Sequence, residues 1–504
     1  MAPLRLFWTQ LTSMRTALIL LFLLALAAIP GSFIPQRPVN PIRVSDFIAE
    51  NPDLGSWYER LGLFDVYGSA WFAATYLLLY VSLIGCIVPR IGVYLRSVRR
   101  PPPRTPHHLT RLTESREGIS GLSLDSALDA AAQELRRARF RVVRGEGSVA
   151  AERGYLREFG NLLFHLSLVL LLGALAWNSL DSYKGEVIVV EGQAFSNNLT
   201  QYDDFRAGGA FTSGDLVPFT VWVDEFTAQF ETGPVQRGAA RVFSADIRTA
   251  VAGQAPVPAT LEVNHPWNHG STSVHLIGHG YAPVLTVTDP EGRVATSGPV
   301  VFLPQDGNFS SLGVVKAPDA RPTYVGLEGF FLPTAVVDEQ GPHSVFPDAL
   351  SPEVFLTAWT GAPREETGVP ESVYSLNKAG LIQMVTEDGS PVAFRLAPGE
   401  QIELPEGSTV AFTDVRRWVK LQVSAEPGLR LALAAIILAV AGLCLSLYIR
   451  PRRMWVRATA TDAGTRIEVG GLDRADPAQG LAEEVDQIAA ACSLARPDDG
   501  EDNT

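Results

Sequence analysis

The apolar residues of this chain gather in four blocks, and the pattern between the blocks changes character. Residues 16–34, 70–88, 160–178 and 429–449 are dominated by Leu, Ala, Ile and Val. Each block is close to the ~20 residues a helix needs to cross ~30 Å of hydrocarbon. A soluble core helix would carry polar residues on one face of such a run, and these blocks hardly do. The pattern predicts a membrane protein with four transmembrane helices. Between the second and third, residues 89–158 open with an extended Pro- and Arg-rich linker, "RRPPPRTPHH",. Leu124, Leu128, Ala131 and Leu135 then recur at helical spacing, and "RFRVVRGEGSVAAERG" reads as two short strands around a Gly turn,. A small αββ module is expected there.

Residues 179–427, between the third and fourth blocks, read as β structure. "FTVWVDEF", "ARVFSADIRTA", "TLEVNHP" and "SVHLIGHGYAPVLTVTD" alternate or are rich in β-formers, with Gly, Pro and Asp turns between them,. A sandwich or open barrel is expected. Residues 305–400 are so rich in Gly and Pro that strand register cannot be read there. No repeat of 20–50 residues is present,. After about residue 475 the chain is polar, ends "RPDDGEDNT", and is expected to be disordered,.

Charge orients these pieces. Residues 89–158 hold 14 Arg and no Lys, residues 35–69 hold 3 Arg, and 450–453 read RPRR. Positive residues remain cytoplasmic, so both termini, the 89–158 segment and the 450–504 tail are expected inside. The 35–69 loop and the 179–427 domain are then extracytoplasmic, in a bacterial plasma membrane. This topology needs the first helix to be retained, although Arg5, Arg15 and Ala25-Leu26-Ala27 would also suit a cleaved signal peptide,. The 179–427 domain holds 14 basic and 30 acidic residues. That argues against nucleic acid as a partner, because phosphate binding needs a basic surface. Solubility or a basic protein partner fits better. The three cysteines are Cys86, Cys444 and Cys492. The exported domain therefore has no disulfide framework, no Cys-x-x-Cys pair and no thiolate metal site.

Two groups of histidines invite chemistry. "NHPWNHGSTSVHLIGHG" contains His265, His269, His275 and His279. Pro266, Gly270, Gly278 and Gly280 oppose a helix. On a strand, His275 and His279 would share a face about 13 Å apart, too far for one ion held at ~2 Å. Surface or hydrogen-bonding histidines are favoured over a metal site. His107 and His108 suit a solvated linker. No Gly-rich phosphate loop, Gly-x-Ser-x-Gly or His-Glu-x-x-His is present,. His165 is different, because it lies roughly 8 Å inside the cytoplasmic end of the third helix. A charged ring there costs at least a few kcal/mol, so the imidazole should be neutral. Neutral imidazole is the usual axial ligand of haem iron. The bland alternative is a His bonded to a neighbouring helix and oriented by Asn161 one turn earlier. Intramembrane ionisable groups favour the functional reading.

The sequence also resembles a known family. "GSFIPQ" (31–36) follows the first helix, "LGLFDVYGSAWF" (61–72) enters the second and "SLIGC" (82–86) leaves it. "RGYLREFGNLLFH" (153–165) enters the third, "VNHP" (263–266) and "GYAP" (280–283) lie in the exported domain, and "EPG" (426–428) precedes the fourth. In this order, with four helices and one large exported loop, they resemble the ResB family of cytochrome c biogenesis proteins, the haem-attachment component of system II, up to about residue 457. Glu426 stands where that family often has Asp, and the histidine cluster is richer than the family pattern needs.

The resemblance implies a non-catalytic or shared-site subunit that works with a ResC/CcsA-type membrane partner to move haem outward and join it to apocytochrome c. It implies that His165, the residue matching the family's helix-three histidine, binds haem transiently together with that partner. The nine Trp are scattered, so the partner's Trp-rich haem-handling segment belongs to another polypeptide. Thioether formation needs reduced thiols, so thiol-reducing proteins must act in the same pathway. Two other readings compete. One is a membrane-tethered β-domain scaffold or chaperone without a cofactor. The other is a transporter with His165 on its path, which the scarcity of other intramembrane polar residues disfavours.

Overall fold

The computed structural model of the chain describes residues 2–251, 253–339, 341–363, 372–473 and 480–494. It divides into two units, Met1–Ala176 with Leu429–Thr504, and Trp177–Gly428. The helices are α1 (Ala2–Leu11), α2 (Met14–Phe33), α3 (Pro41–Glu50), α4 (Pro52–Arg60), α5 (Ala70–Arg99), α6 (Leu124–Arg137), α7 (Tyr155–Asp181), α8 (Pro427–Tyr448) and α9 (Leu481–Ala491). Four of them, α2, α5, α7 and α8, are long and apolar enough to cross a membrane. Large side chains such as Ile19, Phe22, Leu77, Leu166, Leu433 and Ile437 are uncovered on these helices. Each would be worth ~1.5–3 kcal/mol if buried, so water is the wrong solvent for this surface. Lipid is the right one.

The helices of the first unit touch through small residues and side chain-to-carbonyl bonds. Ser82 on α5 donates to the Leu11 carbonyl at 2.6 Å, and the Cys86 thiol donates to that of Thr12 at 2.8 Å. The Tyr76 hydroxyl donates to the Leu172 carbonyl of α7 at 2.5 Å. Where α7 meets α8, a Cβ on Gly160 would sit 2.6 Å from the Gly442 carbonyl, and one on Gly442 would sit 2.6 Å from the Phe164 nitrogen. Such close approach of two backbones is how small residues join helices in lipid. The 35–69 loop is folded. Gln36 donates to the Leu63 carbonyl at 3.0 Å and accepts from the Val66 amide at 3.0 Å, so it clamps "GSFIPQ" to "LGLFDVYGS". Phe47, Tyr58 and Phe64 cluster with ring centroids 5.7–5.9 Å apart.

The αββ module is larger than the sequence pattern predicts. α6 and the strands 141–145 and 148–153 are present, but they belong to a five-stranded antiparallel sheet. Its spatial order is 114–120, 464–473, 452–461, 148–153, 141–145. Two of these strands come from beyond the last membrane helix. α6 and α9 cover one face, burying Leu128, Leu135, Val485 and Ile488 against Met454, Val456, Ile467 and Val469. The Pro-rich segment lies on the sheet as well: Trp455 Nε1 donates to the Pro103 carbonyl at 3.0 Å, and Arg457 donates to the His107 carbonyl at 2.7 Å. The expected disorder after about residue 475 is therefore corrected for residues 481–491, which form α9. Leu481, Val485, Ile488 and Cys492 fall on one helical face and are buried,. Residues 474–479 and 495–504 lie outside the described residues.

The second unit is built around two 17-residue antiparallel strands, Thr272–Thr288 and Thr409–Ala425. Bulges between Leu276 and Gly278 and between Val284 and Leu285 keep the apolar residues of both ends of this ribbon on one face, with His279 and Arg417 between them,. At one end, Val274, Leu276, Leu421 and Val423 pack against a four-stranded sheet containing Phe219–Phe230 and Ala240–Val251. At the other end, Leu285, Val287, Val410 and Phe412 pack against a six-stranded sheet containing 311–317, 324–332 and 353–361. Two hydrophobic cores thus share one pair of strands. The region where register was illegible supplies the six-stranded sheet. Its longer strands, 324–332 and 353–361, are near-continuous apolar runs with Gly in them rather than clean alternations, and Gly- and Pro-rich turns surround them,.

Candidate functional site

α7 carries His165 in an uninterrupted apolar stretch, and its neighbours decide which nitrogen is available. Nδ1 lies 2.8 Å from the main-chain carbonyl of Asn161, one turn earlier. A carbonyl oxygen only accepts, so Nδ1 carries the proton and Nε2 keeps its lone pair. The orienting group is thus the backbone of Asn161. The ring is half-buried and sits edge-on to Phe164, with centroids 5.3 Å apart and planes at 87°.

The helix surface around it is asymmetric. Phe164 and Gly160 meet Gly442 on α8, while the Leu172 carbonyl and Gly173 meet the hydroxyls of Tyr76 and Tyr80 on α5. At 100° per residue, His165 lies one heptad before Leu172 and about 20° from it, so it projects from the side of α7 that meets α5 further along,. A basic imidazole nitrogen, aimed by a carbonyl bond on the ring's other nitrogen, is the donor arrangement a metal centre needs from histidine. His165 Nε2 is the nitrogen that would be available to such a centre.

The other four histidines are separated. His265 is 79% exposed and its Nδ1 lies 3.9 Å from Glu262. His269 stacks on Trp267, with centroids 5.8 Å apart. His275 lies opposite Gln422 and His279 opposite Val419. Partners three residues apart on one strand point to opposite faces. The bulge after Leu276 thus corrects the expectation that His275 and His279 share a face. His279 turns to the core face, where Phe226, Phe243 and Phe309 surround it at centroid distances of 4.5–4.9 Å. Burial, aided by the Arg417 guanidinium, pushes its pKa down to about 4. Among the described residues, no cluster of three or more His, Cys, Asp or Glu could hold a metal ion.

Several family motifs find structural roles here. In "GYAP", Gly280 lies under the Trp418 ring, where a Cβ would come within 2.3 Å of it. Trp418 Nε1 donates to the Tyr281 and Phe302 carbonyls at 3.0 and 3.1 Å, and Tyr281 donates to the Pro347 carbonyl at 2.8 Å. In "VNHP", Asn264 adopts φ 65° in the turn between two strands. Sequence reasoning missed the Tyr281–Trp418–Arg417 junction. The one available signal was an aromatic and an arginine flanked by strand-forming residues.

Four membrane-length helices, a two-core β unit and an oriented imidazole in the third long helix define a multi-pass membrane protein that presents one histidine nitrogen within its spans. A family model described as the ResB-like family matches residues 14–486, and the chain belongs to that family. Similar curated proteins include a "Cytochrome c biogenesis protein CcsB" from Synechococcus sp. (strain CC9311), 28% identical over 400 residues, covering 78% of this chain and 85% of that protein. A second protein of the same name, from Synechococcus sp. (strain WH7803), is 26% identical over 467 residues, covering 92% of each. A third, from Prochlorococcus marinus (strain MIT 9303), is 27% identical over 394 residues, covering 76% of this chain and 84% of that protein.

Proposed function

We propose that this chain is a membrane subunit of a system II cytochrome c biogenesis complex. Together with a separate CcsA-type membrane partner, it assists haem export and covalent haem attachment to apocytochrome c. The family membership and the names of the relatives support the pathway. The observation that supports the site assignment is the 2.8 Å contact of His165 Nδ1 with the Asn161 carbonyl, which leaves Nε2 as the nitrogen free to face a ligand. Haem, when bound, supplies the vinyl groups that become thioethers. This chain's own part would be to hold the group through His165 Nε2, with the Nδ1 contact to the Asn161 carbonyl orienting the ring. The partner carries the rest of the haem-handling surface, thiol-reducing proteins keep the apocytochrome cysteines reduced, and the 179–427 domain is extracytoplasmic with both termini cytoplasmic.

The test uses the complex with its partner co-expressed. His165→Ala should lose the Soret band and block cytochrome c maturation, while the protein level holds, because Ala is the best helix former. Added imidazole should partly restore the band by occupying the vacated position. His165→Gln keeps a polar group in the helix but is a poor iron ligand, so it should fail as well. A full Soret band in the Gln variant at equal protein level refutes the ligand assignment and returns the cofactor-free scaffold reading.

A further inference from the structure

Away from His165, the charged ends of α5 and α7 enclose a second site. It is a half-open cavity of about 500 Å³ whose lining includes Arg96, Arg100, Arg153 and Arg453 with only Glu152 and Glu158. The four guanidinium groups are not equally occupied. Arg153 is engaged by Glu484 and by the Ala138 carbonyl at 3.1 Å. Arg453 gives Nε to Glu152 at 2.8 Å, and the other oxygen of Glu152 accepts from the Tyr155 hydroxyl at 2.9 Å. Arg96 uses only Nε, on the Gly92 carbonyl at 3.0 Å. Arg100 makes no side-chain hydrogen bond among the described residues. The cavity therefore keeps two forked donor sets free and a surplus of positive charge, to which the first turn of α7 adds its positive dipole end.

The chemistry beside the cavity narrows the ligand. Leu95, Leu156 and Phe159 are exposed, and they adjoin the lining residues Arg96, Tyr155 and Glu158 in sequence. α5 and α7 are apolar spans on one side of this level and charged on the other. A free inorganic anion needs the arginines but not exposed apolar side chains on the same helix ends. An amphiphile with an anionic head needs both. Guanidinium groups bind phosphate bidentately, and basic pockets among the ends of membrane helices suit anionic headgroups.

We propose that this pocket holds the phosphate headgroup of an anionic phospholipid through Arg96 and Arg100, with the acyl chains lying along Leu95, Leu156 and Phe159. The site is independent of the haem reading and of which side of the membrane it faces.

The test places the full-length protein in nanodiscs of phosphatidylcholine doped with phosphatidylglycerol and reads retained lipid by native mass spectrometry. Wild type should retain phosphatidylglycerol over phosphatidylcholine, and R96Q/R100Q should lower that retention about tenfold or more, given ~1 kcal/mol per basic residue near a membrane surface. R100Q alone should shift retention in the same direction without a folding cost, since Arg100 makes no side-chain bond. Arg99 is exposed at the same helix end but does not line the cavity, so R99Q should retain lipid as wild type does. An equal loss in R99Q would mean diffuse surface charge and overturn the pocket. Displacement of the lipid by inorganic phosphate alone would also overturn it. So would a loss of haem content, with lipid retention unchanged, in R96Q/R100Q.

Discussion

His165 and His279 are the same residue type in different settings. In α7 the imidazole is oriented by a carbonyl and left with a basic nitrogen. In the long strand Thr272–Thr288 it is enclosed by phenylalanines, and its buried Nδ1 has no hydrogen-bond partner among the described residues. The second case has a consequence for acid stability. The folded-state pKa of His279 is about 4, below the ordinary value of 6.5. Its depression leaves stability intact above pH 6.5 and removes it as pH falls toward 4. At ~1.4 kcal/mol per unit the full loss is about 3 kcal/mol. Thermal melting of the detergent-solubilised protein should show an acid limb between pH 6.5 and 4 that His279→Leu makes shallower. An unchanged limb in that variant would place the acid sensitivity elsewhere. The first histidine was legible in the sequence because an ionisable ring stands out in an apolar run. The second was not, since its orientation depends on a bulge that alternation alone does not reveal.

Helices and strands were legible in proportion to their length and regularity. The four long helices could be read because lipid imposes twenty apolar residues in a row. α6 could be read because Leu124, Leu128, Ala131 and Leu135 repeat cleanly. α9 carries the same kind of stripe, but the acidic, polar residues around it concealed it. The strands 452–461 and 464–473 follow a membrane span directly and looked like a tail. Two predictions belong to these elements. Arg452 is 6% exposed and is held by Asp473 at 3.1 Å and Glu484 at 2.6 Å. Glu484→Ala leaves that charge under-compensated and should cost about 3 kcal/mol, read as a lowered melting midpoint and faster hydrogen exchange in 452–473. No change would mean that α9 contributes little to the module. At the α7–α8 crossing, Gly160→Leu cannot be accommodated against the Gly442 carbonyl. It should lower the yield of assembled protein, whereas Gly92→Leu, with nothing within 4 Å of its Cβ position, should not.

For the whole molecule, the arginine asymmetry makes a sidedness prediction that cysteine labelling can check. In a background lacking Cys86, Cys444 and Cys492, a cysteine at Glu146, in an exposed turn, should resist an impermeant maleimide in intact cells. One at Val235, which is 76% exposed at the tip of a hairpin, should react. The reverse pattern would invert the topology and remove the positional argument for His165. The division into membrane-length helices and a β-rich unit was readable from the apolar blocks and the alternation between them. What composition cannot carry is pairing between segments far apart in the chain, and the five-stranded sheet depends on such pairing.

That sheet also bears on how the protein is made. The Arg453–Glu152 pair joins residues 301 positions apart, so strand 148–153 leaves the ribosome long before its neighbour 452–461 exists. During synthesis its edge is an unpaired template of the kind that recruits other strands, and domains generally form as they emerge. The N-terminal half of the module must therefore wait, open, until the last span has been inserted and the final strands arrive to close it. Completion of the sheet becomes a molecular signature of a finished chain. A ribosome that stalls anywhere in the second unit leaves behind a protein with an exposed strand edge, a product that proteolytic surveillance can tell from the whole.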